Sequence, residues 1–213
     1  MNDLGYTPEE VERIVNWVLP GLTMYYRDTE LEADVISNYT KGLIFRNQIF
    51  VDVSGFAGKP TKSCRFVIAS SKAAPLYQVN PATEKWELHT INCESFFKVL
   101  DVYKKDNTTQ VFLLHIPSSG VALFSRADFL LGEENLEEQM IARARKSFDD
   151  KAAGPVYSEL EEEEWIKRTR LPIGLAPSNN FYPLERQLPI SEGAVPLYKV
   201  IREMTDDTSL NLL

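Results

Sequence analysis

Two cysteines and two histidines in 213 residues are the first scarcity, and between them they exclude a good deal. A disulfide framework needs several cysteines at regular spacing. Cys64 and Cys93 stand alone in apolar stretches and read as buried, reduced thiols in a cytoplasmic protein. A structural zinc site needs paired Cys or His ligands a few residues apart, whereas Cys64, His89, Cys93 and His115 are scattered over about fifty positions. No stretch approaches eighteen consecutive apolar residues, so no membrane-spanning helix is expected. The N-terminal stretch MNDLGYTPEEVERIV lacks the basic and apolar regions of a secretory signal. Basic charge is in deficit as well: 23 Lys and Arg against 31 Asp and Glu leave a net charge of -8. That opposes a general nucleic-acid surface, which displaces counterions from phosphates with a basic face. No Gly-x-Ser-x-Gly elbow and no Walker-type phosphate loop occur.

What is present is ordinary for a folded domain, with 44% hydrophobic and 25% charged residues. The centre is residues 96–124, FFKVLDVYKKDNTTQVFLLHIPSSGVALF. Two β-rich runs flank KKDNTT, and a third, GVALF, follows a Pro-Ser-Ser-Gly turn, which predicts strand, hairpin, strand, turn, strand. Alternation puts Phe97, Val99 and Tyr103 on one face and Phe96, Leu100 and Val102 on the other, as in an interior strand covered on both sides. Asp101 is a carboxylate inside that apolar run.

Upstream, Thr7-Pro8-Glu9-Glu10 predicts a capped helix that Pro20-Gly21 ends. A second helix is expected from Asp28 or Thr29, with a stripe of Leu31, Val35 and Tyr39. Residues 43–53 predict one long strand or two short ones, 64–70 another, and 75–79 with 85–90 a short hairpin about Asn80-Pro81. Residues 55–63, GFAGKPTKS, read as a mobile basic connection. Helices are expected after Asn135 and from Ser158 to about Thr169. From Leu171, prolines 172, 177, 183, 189 and 196 recur among apolar residues, which predicts an extended arm ending in a short helix or strand at 196–204. The expected fold is therefore α+β: two N-terminal helices, a mainly antiparallel sheet of about five to seven strands, then C-terminal helices and the arm. Residues 1–170 form the domain, and 171–213 the arm, docking on the domain or on a partner.

No complete catalytic set emerges. Asp52, with Glu30, Glu32 or Asp34 before it and Ser70-Ser71-Lys72 after it, follows the order of a metal-dependent nuclease core, but Ser70 stands where a third acid is needed. Cys64 or Cys93 could meet His89 or His115 with Asp52 or Asp101 orienting the ring, although no signature surrounds them. The catalytic candidates are Asp52, Lys72, Asp101 and His115, with no metal site and no cofactor expected. The adjacent aromatics and apolar residues Phe181, Tyr182, Leu184, Leu188 and Ile190 are the partner-binding candidates. The leading expectation is a non-enzymatic interaction or regulatory protein, self-associating or binding a protein through its arm. The alternatives are an enzyme or small-ligand binder with a pocket on the sheet, and an acidic inhibitor of a basic protein.

Overall fold

The structure, a computed structural model, describes residues 5–126, 136–185 and 189–207. Its frame is an eight-stranded sheet in the order β2-β7-β8-β4-β1-β3-β6-β5. The strands are β1 (Thr23–Thr29), β2 (Ile44–Asn47), β3 (Val51–Ser54), β4 (Cys64–Ser70), β5 (Ala73–Ala74), β6 (Leu88–Ile91), β7 (Ser95–Lys105) and β8 (Thr108–Ile116). The helices are α1 (Pro8–Val18), α2 (Ala33–Ile36), α3 (Val121–Phe124), α4 (Leu136–Ala152), α5 (Glu163–Thr169) and α6 (Val195–Thr205). The α+β class holds, with two corrections. The described strands number eight, and the sheet is mixed, because β4 and β8 run parallel at its centre while the other described pairings are antiparallel.

Both faces of the sheet are buried, as interior strands with apolar residues on each side require. One face carries Tyr25, Phe66, Ile68, Phe97, Val99 and Leu113, covered by Val35 and Tyr39 and by Ile173, Leu175 and Phe181. The other carries Tyr26, Val67, Phe112 and Leu114, covered by Ile14 and Val18 of α1, Leu123 and Phe124 of α3, and Ala144 and Phe148 of α4. Trp86, Leu88 and Trp165 form a smaller cluster where α5 packs.

Local chemistry explains most elements. Thr7 accepts from the Glu10 amide while the Glu10 carboxylate accepts from the Thr7 amide, and Pro8 occupies the first turn, so α1 begins where expected. The central hairpin is longer than the sequence suggests: strand pairing continues through Lys105 and Thr108, and only Asp106-Asn107 turn, with Asp106 left-handed at φ 52°. A β-bulge lies between Val99 and Asp101. It reverses the alternation beyond it, so Val102 packs on the first face and Tyr103 on the second, opposite to the regular pattern. The same bulge aims Asp101 at α4, where Arg145 meets it with Nε and Nη2 at 2.6 and 2.8 Å.

Four expected elements differ. Residues 23–29 are a strand where helix was expected from Asp28, since Thr23, Tyr25, Tyr26 and Thr29 pair in full register with β4; only Ala33–Ile36 turn helical. Residues 76–78 and 81–86 are 3₁₀ turns instead of a hairpin, leaving β6 as the only strand there. GVALF is the helix α3, because Gly120 fits against Ile14 and Phe124 and the segment packs on α1. The 55–63 connection is tied down: Lys62 pairs with Glu161 at 2.6 Å, and the Lys59 amide bonds Pro155 O at 3.0 Å. Asn135, the expected cap of α4, lies outside the described residues.

Candidate functional site

Where β1, β3 and β6 lie side by side, three chain turns bring unusual groups together. The 3₁₀ turn Pro81–Trp86 ends on Glu87, a non-glycine residue held left-handed at φ 44°, a conformation that costs energy and is kept only where the surroundings impose it. The surroundings are visible. The Gly55 amide donates to Glu87 O at 3.2 Å, and Ser54 Oγ donates to Trp86 O at 2.7 Å while accepting from the Phe56 amide at 2.9 Å. The Glu87 carboxylate then lies over Gly55 so closely that a Cβ there would sit 2.2 Å from Oε2. Glycine at 55 is the condition for the carboxylate's position.

Aromatic groups line this position. The His89 ring lies 4.6 Å from that of Tyr25 and 5.4 Å from that of Tyr77. His89 Nδ1 is 2.9 Å from Glu87 O. A carbonyl only accepts, so Nδ1 carries the proton and Nε2 is the free acceptor. Burial holds the His89 pKa below its ordinary value, against the opposing pull of the backbone bond and of the Glu87 charge. Burial also raises the Tyr25 pKa, and the charge of Glu87 adds to the rise. Arg27 projects from the same face of β1 as Tyr25. Its Nη2 donates to Leu171 O at 2.5 Å and its Nη1 reaches Asp52 O at 3.5 Å, while its Nε, shut off from solvent, has no partner among the described residues. Burial lowers its pKa to about 10, the nearby Asp52 charge offsetting part of the effect. A half-buried carboxylate beside a neutral imidazole can stabilise developing positive charge or deprotonate a reacting centre.

The four catalytic candidates from the sequence do not assemble into one site. The Asp52 carboxylate accepts from Thr90 Oγ1 at 2.6 Å and from Arg168 at 3.2 Å, tying α5 to β3. Asp101 is occupied by Arg145. Lys72 Nζ donates to Thr205 O at 3.0 Å and so caps the C-terminal end of α6. His115 meets Ser70, with Oγ 2.8 Å from Nδ1, in the interior. Lys72 and His115 are close enough for the lysine charge to depress the histidine, and they are the only two of the four that the fold brings near each other. Among the described residues, no three His, Cys, Asp or Glu side chains gather as a metal site. Ser70, at the nuclease-like third position, is committed to His115. Of the partner-binding candidates, Phe181 packs against Tyr39 and Phe45 with ring centroids 5.5 and 5.0 Å away, and Tyr182 bridges to Arg46. Ile190 packs beside Cys93 and Tyr198, Leu184 is exposed, and Leu188 lies outside the described residues. Arg27, Ser54 and Glu87 escaped the sequence reading. The signal that could have found Glu87 was weak: a charged residue directly before a β-run, with nothing to mark its left-handed backbone.

No family model matches the chain, and no curated protein does. Solved structures do. The ADP-ribosyltransferase HopU1 of Pseudomonas syringae is 15% identical, with 45% of each chain covered and a TM-score of 0.39. Exoenzyme S of Pseudomonas aeruginosa, in complex with human 14-3-3 protein beta and bound to Carba-NAD, is 12% identical over 58% of each chain, with a TM-score of 0.42. The C3 exoenzyme of Clostridium limosum is 12% identical, covering 49% of this chain and 64% of that one, with a TM-score of 0.36. The chain spans about half the length of the first of these. The structures it is similar to include ADP-ribosyltransferases, which are enzymes, and the expectation of a non-enzymatic interaction or regulatory protein is withdrawn on that finding. No described helix is long and apolar enough to cross a membrane.

Proposed function

We propose that the protein is an enzyme acting on a small ligand, with Glu87 as its reactive carboxylate. The observation that carries this reading is the placement of Glu87: left-handed backbone, carboxylate over Gly55, Tyr25 and His89 alongside. Strain of this kind is retained where a side chain must be aimed. In this reading the flanking rings of Tyr25 and Tyr77 hold a planar part of the ligand. Glu87 stabilises positive charge at the reacting carbon or takes the proton of an attacking group. The buried thiols of Cys64 and Cys93 suit the reducing cytoplasm.

The test is thermal unfolding against inorganic phosphate, ATP and NAD, followed by turnover of whichever ligand stabilises. NAD enters the panel because Carba-NAD is the ligand named for exoenzyme S. A ligand that binds only the native state raises the midpoint. Glu87→Gln should keep most of that rise and lose turnover by about 100-fold or more, the scale of a removed general base. A flat response to all three probes, or undiminished turnover by Glu87→Gln, refutes the reading.

A further inference from the structure

A second buried polar cluster lies away from Glu87, where the end of α6 closes over the sheet. Ser70 Oγ and His115 Nδ1 are 2.8 Å apart, and the Lys72 amide donates to the same Oγ at 3.0 Å. Ser70 Oγ therefore accepts from the Lys72 amide and shares a second hydrogen bond with His115 Nδ1. Trp17 of α1 meets the His115 ring edge-on at 4.9 Å, and Phe97 of β7 stacks on it at 5.2 Å. The charged groups that face His115 are Asp207, at the end of α6, and Lys72, after β4; the first favours the protonated ring and the second opposes it.

Polar bonds hold the segment that closes this cluster. Trp17 Nε1 donates to Asp207 Oδ1 at 2.8 Å, Lys72 Nζ donates to Thr205 O at 3.0 Å, and Arg202 Nε donates to Asp207 O at 3.0 Å. Asp206 ends the helix left-handed at φ 47°. Upstream, α6 is anchored differently, by the fully buried Tyr198 and Ile201. The last turn of α6 is thus tied by polar groups, whereas the turn before it is held by apolar burial.

We propose that the turn Arg202–Asp207 is an acid-released latch over His115. Burial favours the neutral imidazole in the closed state, so the pKa there is lowered to about 4 from 6.5. Lifting the turn gives the ring access to water and returns it toward its ordinary value. Protons then favour the lifted state as the pH falls below 6.5, and with these two values the opening constant at pH 5 rises on the order of 30-fold over neutral pH. The latch touches the edge of the sheet, since Lys72 leads directly into β5, whose Ala73 and Ala74 pair with Ile91 and Thr90 of β6.

The experiment is amide hydrogen exchange of the full chain, followed in peptides spanning 198–207 at pH 7.5 and 5.0 and corrected for the intrinsic pH dependence of exchange. The wild type should show a rise in opening on the order of 30-fold that His115→Gln lacks, since glutamine offers an amide to Ser70 and takes up no proton. Equal protection at both pH values in the wild type, tighter protection in acid, or the same acid loss in His115→Gln overturns the proposal. Trp17→Phe provides a check that needs no change at the histidine: removing the indole donor should raise exchange in 202–207 already at pH 7.5, and unchanged exchange there overturns the latch.

Discussion

At the scale of single residues, Gly55 and Glu87 are one device. The atoms that a Cβ at Gly55 would strike all belong to the Glu87 carboxyl group, the far end of a flexible side chain. The backbone has no reason to move, so Gly55→Ala should change stability by less than about 1 kcal/mol. The carboxylate, however, must leave its place. We expect ligand-induced thermal stabilisation and turnover to fall together in this variant while the unliganded midpoint stays nearly constant; a normal response to ligand would show that the position of Glu87 is irrelevant. Glu87→Gly asks the converse question. A left-handed residue with a side chain is strained by about 1 kcal/mol, which glycine relieves. The variant should melt at or above the wild-type temperature and be inactive. A lower midpoint would mean that the carboxylate's contacts outweigh the strain.

At the scale of elements, the segment after Leu171 shows how backbone freedom and packing act together. Gly174 is left-handed at φ 82°, and a Cβ would lie 2.2 Å from Phe45 Cδ2, inside a rigid buried ring. Its amide donates to Asn47 Oδ1 at 2.8 Å, and Ile173 and Leu175 on either side enter the core. Gly174→Ala combines backbone strain with overpacking and should cost about 2–4 kcal/mol in denaturant unfolding. A loss under about 1 kcal/mol would mean that this segment can detach without disturbing the sheet. Thr7→Ala, which removes half of the α1 capping box, should cost only about 1 kcal/mol. These two positions also mark what the sequence disclosed. Thr7, Pro8 and Glu10 act within one helical turn, and the 64–70 and 95–116 strands carry their signal in consecutive residues, so both were readable. The strand at 23–29 was not, because Tyr25 and Arg27 become strand residues by pairing with β4, some forty positions away. Neither was the candidate site: Arg27, Ser54 and Glu87 come from three separate stretches that only the sheet order brings side by side. The reversal at Asp101 depended on one bulge, which changes no residue type and leaves no periodic trace.

At the scale of the whole molecule, pH sets two effects against each other. The net charge is -8, so acidification from pH 7.5 toward 5 diminishes self-repulsion and by itself favours the compact state. His115 works in the opposite direction. Its pKa is lowered to about 4 in the fold, below the ordinary 6.5, so the unfolded chain binds the proton first as the pH falls. Stability contributed by the neutral ring is complete above 6.5 and is lost progressively as the pH drops through the interval down to about 4. The interval corresponds to on the order of 3 kcal/mol, and His89, also lowered by burial, adds in the same direction. The repulsion term is spread over exposed, salt-screened charges, so the histidine term should prevail. Urea unfolding of the wild type at 0.15 M salt should therefore lose on the order of 2 kcal/mol between pH 7.5 and 5. His115→Gln should flatten that slope or reverse it, exposing the gain from reduced repulsion. Parallel slopes in the two proteins would place the acid sensitivity elsewhere and show that His115 is solvated in the native state.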